Sequence, residues 1–569
     1  MSRKPVIEFK DFNFRYKTQT QATLHDINLT IYEGEKVLLL GASGCGKSTL
    51  AHCVNGLIPF SFNGEMTGSL KVAGEETREL SLFQMSGHIG TVLQDSDAQF
   101  VGLSVGEDIA YALENDNMPR SEMLPKVYNS AKIVDMHRFL EQVPYNLSGG
   151  QKQRVALAGI MHDDVKLLLF DEPLAALDPM MGNFAIELID RIHQDYGKTI
   201  LIIEHRFEDV LHRSVDRVVL MDDGRIVADT TPQELLLGSM LWEYSIREPL
   251  YISALKQAGC SLQMAKDITD VRTMDLSPYE QQVRTDFEQT AVLEPKEPGE
   301  VLIEAENVGF GYEQGRPVLS DVNFKIRRGE RIAVVGKNGA GKSTIAKLLC
   351  GIIRPTEGQI RFKGEDYTAL SIREIGEQLG YVMQNPNQMI VKDMISEEIG
   401  LGLSLRDRPQ DEIEKSVGEV LKMCNLYEMR HWPVSALSYG QKKRVTIASI
   451  LVMNPDVIIL DEPTAGQDYR VYTEIMTFLE QLNAEFGKTI LFITHDMHLA
   501  IEYTDRALVF SEGTCIGDDA VFKILSDEDI IQRAHLKETS VFTLAKRLGL
   551  PADEFTEHFI KAERRKRSA

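Results

Sequence analysis

The sequence predicts a doubly wound α/β fold built twice in tandem, and three observations predict it. Short apolar runs read as buried parallel strands: KVLLLG, KLLLFDE and KTILIIEH in the first half, RIAVVG, DVIILDE and KTILFITH in the second. Helical stretches alternate with them, the order that a parallel sheet covered on both faces requires. The stretch GASGCGKST beginning at Gly41 recurs as GKNGAGKST beginning at Gly336.

Beyond that stretch the offset settles at 290 residues: it relates Gln94 to Gln384, Ser148 to Ser438, Asp171 to Asp461 and His205 to His495. The same offset relates REPLYISALKQAG (Arg247 to Gly259) to KETSVFTLAKRLG (Lys537 to Gly549), so each half carries a helix-like appendage after its core. The expected divisions are a first domain over 1–245, its appendage with an acidic linker over 246–300, a second domain over 301–535, and an appendage with a basic tail over 536–569. Residues 260 to 300 are polar and end in LEPKEPGE, which reads as an exposed linker. Between Gln94 and Leu147 no strong strand run occurs, which predicts a mostly helical insertion.

Composition narrows the function classes. A chain of 569 residues holds several domains, and 43% hydrophobic with 26% charged residues is an ordinary globular balance. The 62 Lys+Arg against 85 Asp+Glu give −23, which argues against binding long nucleic acid through the overall field and leaves only a local basic patch. Six scattered cysteines (Cys45, Cys53, Cys260, Cys350, Cys424, Cys515) form neither a zinc-ligand spacing nor a disulfide framework, and a reducing cytoplasm is expected. The start MSRKPVIEFKDFNF has no apolar h-region, and runs such as Val37 to Leu40 fall far short of the roughly 18 to 20 residues that span a bilayer. A soluble or peripheral chain is expected.

The phosphate-binding loop is the strongest single signal. Gly41, Ala42, Ser43, Gly44, Cys45, Gly46, Lys47, Ser48 and Thr49 follow a strand and open a helix. Backbone N–H groups there can cradle phosphates, while Lys47 reaches the β/γ oxygens and Ser48 holds Mg²⁺. Gly336, Lys337, Asn338, Gly339, Ala340, Gly341, Lys342, Ser343 and Thr344 repeat the arrangement. Asp171 and Asp461 end apolar strands where a carboxylate can meet a Mg²⁺ water shell, and the next residues, Glu172 and Glu462, can polarise an attacking water.

LSGGQKQR (Leu147 to Arg154) and LSYGQKKR (Leu437 to Arg444) resemble the signature motif of ABC-type ATPases. The resemblance covers nearly the whole chain and implies tandem P-loop NTPase domains, each a RecA-like core with a helical subdomain and an antiparallel β part. It implies a nucleotide sandwich formed between the two halves, with the phosphate loop of one facing the signature of the other: Ser148, Gly149, Gly150 and Gln151, and Ser438, Tyr439, Gly440 and Gln441. By the same resemblance, Tyr16 and Tyr312 match the aromatic that stacks on adenine. Gln94 and Gln384 match the Q-loop, beside both metal and chemistry. Asp178 and Asp468 match the D-loop, and His205 and His495 the switch histidine. ATP and Mg²⁺ are the implied ligands.

The halves depart from the pattern unequally. Tyr439 replaces the first signature glycine and Gln467 stands where the first half has Leu177. Ser438 and the Gly440 N–H survive to contact a γ-phosphate, so two active but unequal sites are expected, the altered signature affecting the site of Lys47 and Glu172. Cys45 is matched by Ala340. A thiol there is either an activated thiolate, favoured by the helix N-terminus, or a small buried filler.

The segments DSDAQFVGLSVGEDIA (Asp95 to Ala110) and NPNQMIVKDMISEEIG (Asn385 to Gly400) resemble the corresponding stretch of energy-coupling-factor (ECF) transporter ATPases, and the fusion of two ATPases is similar to those of vitamin and thiamine-precursor importers. This resemblance implies a transmembrane coupling subunit, a separate small substrate-binding membrane subunit, a place on the cytoplasmic face of the cell membrane, and a vitamin, vitamin precursor or metal ion as cargo. Glu107, Asp108, Glu397 and Glu398 are read either as receivers of arginines from the coupling subunit or as a solvated acidic face. The alternatives are a soluble tandem ABC ATPase acting on ribosomes and a duplicated sugar-import ATPase. Residues 236 to 300 hold 6 Lys/Arg and 11 Asp/Glu, which disfavours RNA contact. The end KAERRKRSA carries Lys561, Arg564, Arg565, Lys566 and Arg567, readable as a solvated tail or as attraction to an anionic leaflet.

Overall fold

The computed structural model describes residues 3–94, 99–161, 165–175, 177–263, 265–289, 299–313, 315–464, 467 and 469–568. Two compact units divide the chain, one of residues 1–253 and 261–275, the other of 254–260 and 276–569.

The strands of the first unit are β1 (Pro5–Tyr16), β2 (Leu24–Tyr32), β3 (Lys36–Gly41), β4 (Gly64–Val72), β5 (Glu75–Glu76), β6 (Ile89–Val92), β7 (Leu167–Asp171), β8 (Thr199–Ile203), β9 (Arg217–Asp222) and β10 (Arg225–Thr230). They make a four-stranded sheet ordered β2-β1-β4-β5 and a six-stranded sheet ordered β10-β9-β3-β8-β7-β6. The first is antiparallel; in the second only β10 runs against its neighbour. Val37 to Leu40 and Leu167 to Leu169 are fully buried, as expected of parallel strands covered on both faces. Phe12 and Phe14 of β1, Leu39 of β3 and Leu50 of the helix Lys47–Val54 share one apolar core, which fixes the antiparallel sheet over the phosphate-loop helix.

The second unit repeats this with β11 (Val301–Phe310), β12 (Leu319–Arg327), β13 (Arg331–Gly336), β14 (Glu357–Phe362), β15 (Glu365–Asp366), β16 (Leu379–Val382), β17 (Val457–Asp461), β18 (Thr489–Ile493), β19 (Arg506–Ser511) and β20 (Thr514–Ala520). Its sheets run β12-β11-β14-β15 and β16-β17-β18-β13-β19-β20. The predicted helical insertion is present in both: helices Val105–Asn115, Arg120–Ile133 and Gly149–Met161 in one, Ile395–Ser404, Gln410–Met423 and Tyr439–Leu451 in the other. The appendage repeat is likewise helical, over Leu250–Gln257 and Ser540–Arg547.

The stretch expected to be an exposed linker is instead packed over most of its described length. In the first unit it buries Leu262, Ala265, Ile268, Val271 and Met274; in the second it buries Leu276, Tyr279 and Val283. Helix Glu280–Gln289 packs on the C-terminal appendage of its own unit, with Phe287 5.8 Å from the Phe555 ring and His558 Nε2 2.7 Å from Asp286. Charges between these apolar positions lowered the average hydropathy without breaking the buried face. Both linker prolines, Pro295 and Pro298, lie outside the described residues.

Part of the basic tail is likewise packed. Residues Ala552–Ser568 form a helix, and Arg564 donates to Asp505 Oδ1 at 2.6 Å and to the Thr504 carbonyl at 2.5 Å. Lys561 pairs with Glu557 at 2.8 Å. These two cations are therefore engaged by their own unit.

Candidate functional site

Each phosphate loop leaves the C-terminal end of a central parallel strand, β3 or β13, and turns into a helix at a glycine. Gly46 and Gly341 take φ of 105° and 102°, left-handed values that a side chain would resist. The turn folds the lysine back over the loop: Lys47 Nζ donates to the carbonyls of Gly41 and Ala42, both at 2.8 Å, and Lys342 Nζ to those of Gly336 at 2.8 Å and Lys337 at 3.0 Å. These bonds hold a buried ammonium where phosphate oxygens can replace the carbonyls. Ser48 and Ser343 are exposed beside it, as are Ser43, Gly44, Asn338 and Gly339 at the loop tips. Tyr16 OH lies 3.1 Å from Thr49 Oγ1 and Tyr312 OH lies 3.5 Å from Thr344 Oγ1, so both aromatics flank the loop helices.

Asp171 and Asp461 end β7 and β17, the strands predicted from their apolar runs. Glu172 and Glu462 follow with φ of 47° and 43°, a left-handed turn that lifts each carboxylate off the strand. Gln94 Nε2 donates to Glu172 Oε2 at 2.5 Å, and His205 Nδ1 stands 3.9 Å from Glu172 Oε1. In the second unit His495 Nε2 stands 3.5 Å from Glu462 Oε1. The structure thus brings Gln94, Glu172 and His205 together, and His495 with Glu462.

Burial pushes Glu172 up to about 7; Glu204 and Asp171 add to the rise, while Lys47 and the Gln94 bond oppose it. Asp171 rises to about 6, again chiefly through burial. Glu462 rises to about 8 for the same first reason, with Lys342 opposing and Asp461 and Asp496 adding. A carboxylate near neutrality suits a general base. Asp171 Oδ1 and Glu462 Oε1 are buried and accept no hydrogen bond. The unsatisfied Asp171 Oδ1, a hard oxygen donor, fits a divalent cation.

The signature residues stand at the start of helices of the helical insertion. Ser148 and Gln151 bond reciprocally there, at 2.8 and 3.4 Å, as do Ser438 and Gln441 at 2.9 and 3.3 Å. Tyr439 is 39% exposed and donates to the Gln384 carbonyl at 3.2 Å. Asp178 is buried and caps helix Pro179–Tyr196 through Met181 N–H at 2.9 Å; Asp468 lies outside the described residues.

Two readings that the sequence leaves open are narrowed. The Cys45 thiol is 5% exposed and burial raises its pKa despite Lys47, which favours the filler reading over the activated thiolate. Asp108 and Glu398 turn their carboxylates onto their own backbone: Asp108 accepts from Val101 and Gly102 N–H at 2.8 and 3.0 Å, Glu398 from Val391 and Lys392 N–H at 2.9 and 2.8 Å. Glu107 caps its helix through Leu103 and Ser104 N–H. They shape the loops and are not a row of free acceptors; Glu397 remains exposed.

Three residues near these sites have no role read from the sequence. Glu204 is fully buried before the switch histidine; Tyr381 donates to Asp461 Oδ2 at 2.6 Å; Lys443 is buried under the Q-loop, donating to the Met383 and Gln384 carbonyls at 2.8 and 3.0 Å. Burial lowers Lys443 to about 8, against the pull of Asp461 and Glu462. The 290-residue offset pairs them with Thr494, Thr91 and Gln153, so unlike partners were the signal available in the sequence.

Residues 24–175 and 319–465 match the ABC transporter family. The chain belongs to that family. This ABC ATPase also matches, over 238–310, a family described as ATP-binding cassette cobalt transporter. An ABC transporter ATP-binding protein of Clostridium perfringens is 54% identical over 566 residues, covering 99% of both chains. One of Vibrio parahaemolyticus is 50% identical, covering 98% of this chain and 97% of that one. Among solved structures, cbiO1 from Clostridium perfringens, part of the ABC transporter complex cbiONQ, is 35% identical over 41% of this chain and 94% of that one, with a TM-score of 0.38. The ABC ATPase binds and hydrolyses ATP, and no described helix is long and apolar enough to cross a membrane.

Proposed function

We propose that this ABC ATPase energises an ECF-type importer of a metal ion, vitamin or vitamin precursor, as a peripheral subunit on the cytoplasmic face of the cell membrane. In each half ATP lies on the phosphate loop, with Tyr16 or Tyr312 at the adenine. Ser48, Gln94 and Asp171, or Ser343, Gln384 and Asp461, would hold Mg²⁺, which would neutralise phosphate charge. Glu172 and Glu462 orient and polarise the attacking water, and His205 and His495 face the γ-phosphate. Asp178 and Asp468 lie in the D-loops. The partners are a transmembrane coupling subunit and a small membrane protein that binds the cargo.

The observation that carries this reading is a set of exposed apolar residues that flank the Q-loops in sequence and recur in both halves. Leu82 and Ile372 are 45% and 60% exposed, and Val101 and Val391, on the far side of Gln94 and Gln384, are 62% and 69% exposed. Single exposed apolar side chains are ordinary, whereas the same ones recurring at one offset in both halves fit apolar helices of a partner. The cobalt-transporter match over 238–310 supports the importer class.

The test is to tag the protein in its native host, solubilise membranes gently and identify what copurifies by mass spectrometry. A multi-spanning subunit with a small integral binding protein is expected. Ribosomal proteins without membrane partners would overturn the proposal.

A further inference from the structure

The two halves hold their switch histidines differently, and the difference centres on Glu204. Its carboxylate is fully buried, where it is costly unless hydrogen-bonded. Three backbone N–H groups meet it: Leu174 at 3.0 Å on Oε1, His205 at 3.0 Å and Arg206 at 3.2 Å on Oε2. Arg206 in turn donates through Nη1 to the Leu174 carbonyl at 3.1 Å. Both polar groups of the Leu174 backbone, two residues beyond Glu172, are thereby taken by the turn that bears His205. The preceding carbonyl, that of Pro173, accepts from Gln153 on the signature helix at 2.8 Å.

In the second half Thr494 and Asp496 occupy the places of Glu204 and Arg206. Thr494 Oγ1 accepts from Asp496 N–H at 3.0 Å, and the Asp496 carboxylate caps the next helix through His498 N–H at 2.8 Å. A threonine hydroxyl is too short to reach both segments, and a carboxylate has no proton to give the Thr464 carbonyl. The β-strand pairing behind both turns is the same: Glu172 N–H donates to the Ile203 carbonyl and Glu462 N–H to the Ile493 carbonyl, each at 2.9 Å. The extra link is thus a property of the first half's side chains alone.

We propose that Glu204 is a positioning residue of the first ATP site. With Arg206 it clamps Leu174, so that the segment bearing Glu172 and the turn bearing His205 move as one body. Thr494 does not reproduce the Glu204 bonds among the described residues of the second half. The inference rests on the roles proposed above for Glu172 and His205. Such supporting groups commonly account for about 10- to 100-fold in activity when removed.

The test uses the full chain in a Glu462→Gln background, which isolates the first site, and compares Glu204→Gln, Glu204→Thr and Arg206→Gln. Steady-state ATPase gives kcat and KM, a fluorescent ATP analogue gives affinity, and hydrogen exchange reads the Leu174, His205 and Arg206 amides. Glu204→Thr is expected to lower kcat about tenfold or more with KM within about twofold, and to speed exchange at all three amides. The isosteric Glu204→Gln, which keeps one accepting oxygen, is expected to fall between it and the parent. Unchanged kcat in folded Glu204 variants would overturn the clamp, as would a rise in KM that matched the whole loss. Glu172→Gln in the same background checks the underlying reading separately: if it leaves ATPase unchanged, the assignment of Glu172 fails whatever Glu204 does.

Discussion

Tyr439 donates its phenolic hydrogen to the backbone carbonyl of Gln384 at 3.2 Å, so the residue that breaks the signature's glycine pair also touches the Q-loop of its own half. Lys443, one turn along the same helix, holds that carbonyl at 3.0 Å. Because the lysine is buried and the tyrosine half-exposed, the lysine carries most of this joint. Tyr439→Phe is expected to cost less than about 1 kcal/mol of unit stability in thermal denaturation. A loss above about 2 kcal/mol would assign the joint to the tyrosine instead.

Glu172 and Glu462 make stability depend on pH in a defined direction. Their folded pKa values, about 7 and about 8, lie above the unfolded carboxylate value of 4.5. The folded state therefore binds the proton more tightly. The resulting stability is full below the unfolded value and is lost as pH rises through the folded one. Glutamine keeps the shape and removes the titration. Without nucleotide or Mg²⁺, Glu462→Gln is expected to melt a few degrees above the parent at about pH 8.5, a gap that shrinks toward about pH 5. Glu172→Gln is expected to show a smaller gap of the same sign, complete about one pH unit earlier, because its shift from 4.5 is the smaller of the two. A gap that does not change with pH would remove the buried charge as its cause.

The two halves are expected to hydrolyse ATP at unequal rates. Asp461 is held by Tyr381, whereas Asp171 Oδ1 is unsatisfied; Glu172 is met by Gln94, and the Glu204 clamp has no second copy. Single Glu172→Gln and Glu462→Gln variants should retain different fractions of the parent ATPase, and the double variant should retain almost none. Equal fractions would argue against the asymmetry.

Much of this was legible because motif chemistry is local. A glycine that must turn left-handed before Lys47, and an apolar strand that must end in Asp171, each constrain a few adjacent residues, and the tandem repeat tests both twice, at an offset of 295 for the loop and 290 for the strand end. What escaped was set by distant partners. Polar averages over 260 to 300 concealed Leu262, Ile268 and Val283, since burial depends on which residues face a neighbour. The acidic Asp108 and Glu398 looked like surface charge until the loops before them curled back to donate N–H groups. Glu204 and Tyr381 fit no motif and Lys443 has no assigned role within the signature stretch, so each shows only as a mismatch with its partner in the other half.

Cys45 is expected to be unreactive in the folded protein. Its thiol is 5% exposed and burial raises its pKa, so little thiolate forms near neutrality. Maleimide labelling of native wild type and Cys45→Ala should agree in stoichiometry, with the extra site appearing only on unfolding. Labelling of Cys45 in the native state, blocked by ATP, would restore the activated-thiolate reading.

The C-terminal helix is expected to stabilise its unit. Arg564 reaches both Asp505 and the Thr504 carbonyl, and Asp505 also binds Arg331, whose guanidinium lies at the start of the strand leading to Gly336. Removing Arg564 leaves Arg331 to hold Asp505 alone. Arg564→Ala should therefore lower stability by about 1–2 kcal/mol, partly restored by Arg564→Lys, which keeps the charge but offers one nitrogen where the guanidinium uses two, Nη1 on Asp505 and Nη2 on the Thr504 carbonyl. The measurement is denaturant unfolding followed alongside vesicle co-sedimentation at low salt. Reduced vesicle binding with unchanged unfolding would return the tail to the membrane, because a cation held by Asp505 is not free to meet an anionic leaflet.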